Sequence, residues 1–199
     1  SGPSPRTIHD FRGFPPELYA ITYPAPGSDL LVQRVGQLLG PGRAVPDDSW
    51  GFDHGTWGVL DLLFPGAYFP TVEMSLDMSL TPAQHFALGQ ALAPLRDEGI
   101  LIVGSGNVVH NLAMWRQSQG AVLEWAQDFQ QRTNRAVQEG NADALTGLSA
   151  EDHAAAAAVN SGEHYLPLLY ACGARLPGDA VQVFNDTIDG ALSMTSYLI

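Results

Sequence analysis

The run Ile100-Leu101-Ile102-Val103 constrains this chain more than any other stretch. Four consecutive apolar residues have the pattern of a strand buried on both faces, the kind found in parallel sheets. The run passes directly into Gly104-Ser105-Gly106-Asn107. Upstream lies a well-punctuated helix. Thr81 is a good N-cap, Pro82 fits the first helical position, Gln84 completes a capping box, and the body spans Ala83–Arg96. Before it, Pro70–Leu76 (PTVEMSL) partly alternates, with Val72, Met74 and Leu76 on one face of an expected strand. Strand, helix and strand in that order make a βαβ unit. The expected fold class is therefore α/β (or α+β with a mixed sheet): a single domain, residues 1–199, with a central mixed or parallel sheet flanked by helices.

The rest of the chain fits that class. Apolar residues at helical spacing predict a helix over Leu30–Leu39, capped by Asp29 and stopped by Gly40 and Pro41. Helices are also expected over Gly58–Phe64, Val122–Gln138 and Ala150–Val159, and from near Ser161. The C-terminal VQVFNDTIDGALSMTSYLI reads as two strands around an NDTIDG turn. There is no internal repeat and no linker.

Composition narrows the chemistry. The chain holds 21 acidic residues, 9 arginines and no lysine, for a net charge of −12, which argues against nucleic acid or an anionic membrane as partner. Without lysine, Schiff-base chemistry and the P-loop lysine are excluded. The single cysteine, Cys172, excludes an internal disulfide framework and a Cys-only zinc site. No apolar run approaches a membrane span, no secretory signal is evident, and a cytoplasmic location is expected. Chemistry falls to His, Asp, Glu, Ser, Tyr, Arg and bound metals.

Each of the six histidines has a plain reading and a functional one. His54 sits in GFDHGTW beside Asp53, with Trp50 and Trp57 near, either as a hydrogen-bonded loop residue or as an acid/base group. His110 follows the apolar run and GSGN, where open α/β sheets bind ligands and where glycines admit a close ligand. Asn107 and Asn111 add donors there. His164, next to Glu163, offers an imidazole and a carboxylate, the ligand types of divalent iron and zinc sites, although adjacent helical residues point about 100° apart. His9 and Asp10 read as bonded to each other or as capping the loop, while His85 and His153 read as structural or surface residues. No HExxH, GxGxxG or GxSxG pattern occurs, so any metal site must be assembled from distant segments.

The blocks TIHDFRGFP, YPAPGS, WGFDHGTWGVL, RDEGILIVGSGNVVHNL and EHYLPLLYACGA, in this order, resemble the class III (LigB-like) extradiol dioxygenases, in the branch that includes 4,5-DOPA extradiol dioxygenase. The resemblance runs from about Thr7 to the C-terminus. It implies opening of a catechol-type ring beside the two hydroxyls with O2 and non-haem Fe(II), with Zn(II) the alternative metal. It implies His164 as a metal ligand, with Glu163 the alternative, His110 at the metal or as the base beside it, and His54 as an acid/base group. Asn107, Trp57 and His9 are the expected substrate contacts. The family's N-terminal GHG-type and SxHW-type motifs, each giving a metal histidine, have no counterpart in this sequence. An N-terminal fragment or a partner chain is therefore expected to complete the site. The competing expectation is a truncated, non-catalytic aromatic-ligand-binding protein or partner subunit on the same scaffold. A zinc hydrolase using His110 and His164 would lack any motif of its own.

Overall fold

Helices carry most of the architecture. In the computed structural model, which describes residues 2–199, α1 (Pro16–Tyr19), α2 (Asp29–Leu39) and α3 (His54–Leu63) belong to one compact unit, residues 2–75. Ser28, one residue before the expected cap, begins α2: its hydroxyl accepts the Leu31 N–H at 3.2 Å. Tyr23, Phe52, Trp57 and Leu60 form the core of this unit, with Phe11, Ile21 and Phe64 packed against it. The entry segment is tied to the turn before α3 by an isolated parallel bridge between Thr7 and Phe52. Ile8 N–H donates to the Phe52 carbonyl at 2.7 Å and Phe52 N–H to that of Arg6 at 2.8 Å. That bridge lays residues 6–10 alongside residues 50–54.

The second unit, Leu76–Ile199, contains α4 (Pro82–Leu92), α5 (Pro94–Asp97), α6 (Leu112–Ser118), α7 (Glu124–Glu139), α8 (Ala142–Thr146), α9 (His153–Val159) and α10 (Leu166–Gly173). The capping box at Thr81 and Gln84 forms as expected, and Pro94 divides the anticipated single helix into α4 and α5. α7 buries Ala126, Phe129, Gln130, Thr133, Ala136 and Val137, the three-and-four spacing of one helix face. It ends at Gly140, whose φ of 66° is left-handed and suits glycine. Asp152 caps α9, which begins three residues later than expected, and its carboxylate accepts the Ala154 and Ala155 N–H groups. Val109, Leu145, Tyr165 and Leu169 are large, fully buried apolar side chains of this unit's core. Burial of a leucine such as Leu169 contributes about 1.5–3 kcal/mol. α10 crosses α4 closely, because a β-carbon at Gly89 would lie 2.8 Å from the Tyr170 Cα.

The central sheet expected from the βαβ pattern is not what forms among the described residues. The ladders are two antiparallel pairs at the C-terminus. β1 (Gln182–Phe184) pairs with β4 (Ser196–Leu198), and inside it β2 (Ile188–Asp189) pairs with β3 (Leu192–Ser193). The C-terminal hairpin is thus present, with four short strands in place of two. Residues 70–76 and 100–103 belong to no ladder among the described residues. An apolar run supplies strand propensity, but a strand needs a neighbour to take its N–H and C=O groups. Leu101 and Val103 are correspondingly 63% and 45% exposed. No helix among the described residues is long and apolar enough to cross a membrane.

Candidate active site

In the second unit, His110 and His164 are brought face to face. Their ring centroids lie 3.5 Å apart with planes inclined by 24°. The loop after the apolar run holds one side of the pair: Asn107 N–H donates to the His164 carbonyl at 2.8 Å. Gly106 lies against the same residue so closely that a β-carbon there would sit 2.9 Å from the His164 carbonyl carbon. Gly104 is similarly pressed against Pro167. The glycines of GSGN therefore serve the approach of two backbones.

His110 is fixed from the other side. Its N–H donates to the Ala158 carbonyl at 2.9 Å, and it bridges to Leu192 of β3. Asn111 N–H donates to Ala191 at 3.0 Å, and Ser193 N–H to Val109 at 2.9 Å. The amide of Asn107 donates to the Ser193 carbonyl at 2.6 Å, and that of Asn111 to Ala157 at 3.0 Å. Behind them, the Ser193 hydroxyl donates to Gln130 Oε1 at 2.6 Å, and Gln130 Nε2 donates to Asp186 at 2.7 Å. Gln130 and Ser193 are buried, so this network links α7 to the segment that carries His110.

Burial pushes the His110 imidazole below the ordinary histidine range, against the opposing charge of Glu163 and a backbone contact. Burial raises the Glu163 carboxyl, but the Ser161 hydroxyl, a backbone N–H, and His164 and His110 outweigh it and hold it below the ordinary range. Ser161 Oγ donates to Glu163 Oε1 at 2.7 Å, and His164 Nε2 lies 3.8 Å from that oxygen. A neutral imidazole can take a proton or ligate a divalent metal. The donor type fits iron or zinc. Among the described residues, no group of three or more His, Cys, Asp or Glu side chains is gathered closely enough to hold a metal.

The N-terminal unit holds a second cluster. His54 opens α3, just after the N-cap Asp53, whose carboxylate accepts the Thr56 N–H at 3.1 Å. Asp10 reaches it from the entry segment: one carboxylate oxygen lies 2.7 Å from His54 Nδ1 and accepts the His54 backbone N–H at 3.2 Å. Burial raises the Asp10 carboxyl, but the His54 side-chain and backbone hydrogen bonds outweigh it and leave the group below the ordinary range. Glu73 orders the same turn, accepting the Asp53 N–H at 3.0 Å, the Thr56 hydroxyl at 2.6 Å and the Trp50 indole N–H at 3.1 Å. Burial pushes Glu73 above the ordinary range despite those bonds.

His9 is bonded through Nε2 to the Ile21 carbonyl at 3.0 Å, and its ring packs against Phe11, Tyr19 and Trp57. Trp57 is 4% exposed, and its indole N–H donates to Ile8 at 2.8 Å. The structure therefore gives His9, Trp57 and Asn107 partners within the protein, while the His54 side chain remains 49% exposed. Glu73 and Gln130 were not singled out by sequence, and Asp10 was expected to bond to His9 or cap a loop, whereas it bonds to His54. Glu73 had a usable signal: it is the one charged residue within PTVEMSL.

Two facing imidazoles beside a carboxylate define a histidine-based centre of the type that serves metals and proton transfer. The wider comparison makes the class specific. Residues 3–189 match the family described as "Catalytic LigB subunit of aromatic ring-opening dioxygenase", and the chain belongs to that family. It is 43% identical to the 4,5-DOPA dioxygenase extradiol of Escherichia coli (strain K12), over 98% of this chain and 74% of that protein. The protein of the same name from Beta vulgaris is 36% identical, over 94% of this chain and 70% of its own. Among solved structures, an uncharacterized protein from Escherichia coli K12 superposes with a TM-score of 0.81 at 36% identity, covering 98% of this chain and 80% of that one.

Proposed function

We propose that this chain is the catalytic part of an extradiol dioxygenase that opens a catechol-type ring, DOPA or a related diol, with O2. The observation that carries the reading is the His110–His164 pair, set in a chain that aligns along 98% of its length with a protein named 4,5-DOPA dioxygenase extradiol. In the net reaction the C–C bond beside the diol breaks and both oxygen atoms enter the product. Fe(II), with Zn(II) the alternative, would supply electron transfer and orientation when bound. His164 would be a ligand to it, with Glu163 beside it. His110, kept neutral by burial, would ligate or accept the proton that a catechol hydroxyl must lose. His54 would be an acid/base group, and Asn107, Trp57 and His9 would be the substrate contacts, each also bonded within the protein.

The test is oxygen uptake with a panel of catechols after anaerobic Fe(II) loading of the full-length protein. Turnover should appear with a ring-opened, yellow product, and His110→Ala should abolish it with the fold intact. Undiminished catechol cleavage by that variant would contradict the assignment.

A further inference from the structure

We infer that Asp10 is a positioning residue that locks His54 as its Nδ1–H tautomer, so that Nε2 of this half-exposed ring carries the lone pair of a proton acceptor. The inference rests on the proposed function for what His54 does, and on geometry for the tautomer. Asp10 Oδ1 lies 2.7 Å from His54 Nδ1, a short distance for an N–H···O bond. An ionised carboxylate can only accept, so the hydrogen between the two belongs to Nδ1. In a neutral imidazole the other nitrogen is then unprotonated. The same Asp10 oxygen also accepts the His54 backbone N–H, which ties the carboxylate to the residue it orients.

The surroundings fix both partners. The Thr7–Phe52 bridge aligns the Asp10 segment with the turn before α3. Glu73 holds that turn through Asp53, Thr56 and Trp50. The Phe11 ring meets His54 edge-on at 5.7 Å. A free imidazole favours the opposite, Nε2–H tautomer, whose available lone pair is on Nδ1, against the backbone. Asp10 thus reverses the choice and leaves the lone pair on Nε2. The step needs no further reactant: Nε2 gains a proton from a substrate hydroxyl and later returns it.

The experiment is 15N-edited NMR of the histidine rings in the full chain, with His54→Gln assigning the signal, followed by Asp10→Ala and Asp10→Asn. Wild type should show a protonated Nδ1 and a bare Nε2, and Asp10→Ala should switch His54 to Nε2–H. Steady-state turnover of the Fe(II)-loaded protein should fall roughly 10- to 100-fold in kcat in Asp10→Ala, with KM little changed. Asp10→Asn, which keeps an acceptor oxygen, should lie between the two. A wild-type His54 already in the Nε2–H form, or a tautomer unmoved by Asp10→Ala, overturns the inference. If the switch is seen but no catechol is turned over by any form, the inference on Asp10 stands and the dioxygenase reading fails.

Discussion

Substitution of Gly106 by alanine tests how the paired histidines are held. The new β-carbon would lie 2.9 Å from the His164 carbonyl carbon and 3.2 Å from its Cα. Carbon atoms rest about 3.5–4.0 Å apart, so one backbone must yield by roughly 0.6 Å or more. Gly106 does not have a positive φ, so the cost is steric and not conformational. The neighbouring Asn107 N–H bond to His164 lies in the path of that shift. Overpacking of this size costs about 1–3 kcal/mol, and a weakened backbone bond adds about 0.5–1.5 kcal/mol. A displacement approaching 1 Å at a reacting group costs about 100-fold in rate. Gly106→Ala should therefore unfold at lower urea concentration and lose on the order of 100-fold in kcat for catechol. Gly36→Ala is the control: it lies in α2 with open space around it, and it should gain about 0.5–1 kcal/mol. Wild-type turnover and stability in Gly106→Ala would refute the claim that this glycine sets the position of His164.

Other outcomes follow from the buried polar groups. Gln130→Leu leaves the Ser193 hydroxyl and Asp186 short of a partner, and chemical denaturation should show a loss of about 1–3 kcal/mol. His85 is fully buried with Nδ1 2.9 Å from the Tyr170 hydroxyl, and burial pushes its pKa down against the opposing charge of Asp77. Its contribution to stability is thus present above the unfolded-state pKa of about 6.5 and lost as pH falls through the lower folded value. Urea titrations from pH 8 to 5 should show that loss, and His85→Gln should flatten it. Burial raises the Cys172 thiol to about 12, so it is an unreactive thiol at neutral pH; Cys172→Ser should leave kcat within about 2-fold and thiol reagents should label the native protein slowly.

Much of the helical architecture was legible because its signals are local. Thr81, Pro82 and Gln84 act within one turn, and the α7 face is written in a three-and-four spacing. The sheet was not legible in the same way. Ile100–Val103 has the composition of a buried strand, but pairing depends on what lies beside it, and that is not a property of four residues. The candidate site divides along the same line. His54, His110 and His164 stood out by residue type and motif. The long-range bonds around them did not, because Asp10, Glu73 and Gln130 act across 44, 17 to 23, and 56 to 63 positions of sequence. Adjacency misled in one case: His9 and Asp10 are neighbours, yet His9 bonds to Ile21 and Asp10 to His54. The glycines of GSGN were read as room for a ligand, whereas they admit the His164 and Pro167 backbones.

The most direct test of the dioxygenase account is iron content and oxygen consumption measured together, on full-length protein loaded anaerobically with Fe(II), beside His110→Ala and His164→Ala. The account predicts stoichiometric iron in wild type, catechol-dependent oxygen uptake with a ring-opened product, loss of iron in His164→Ala and loss of turnover in His110→Ala. Oxygen uptake and iron content unchanged in both variants, or no catechol-dependent uptake in an iron-loaded wild type, would contradict it.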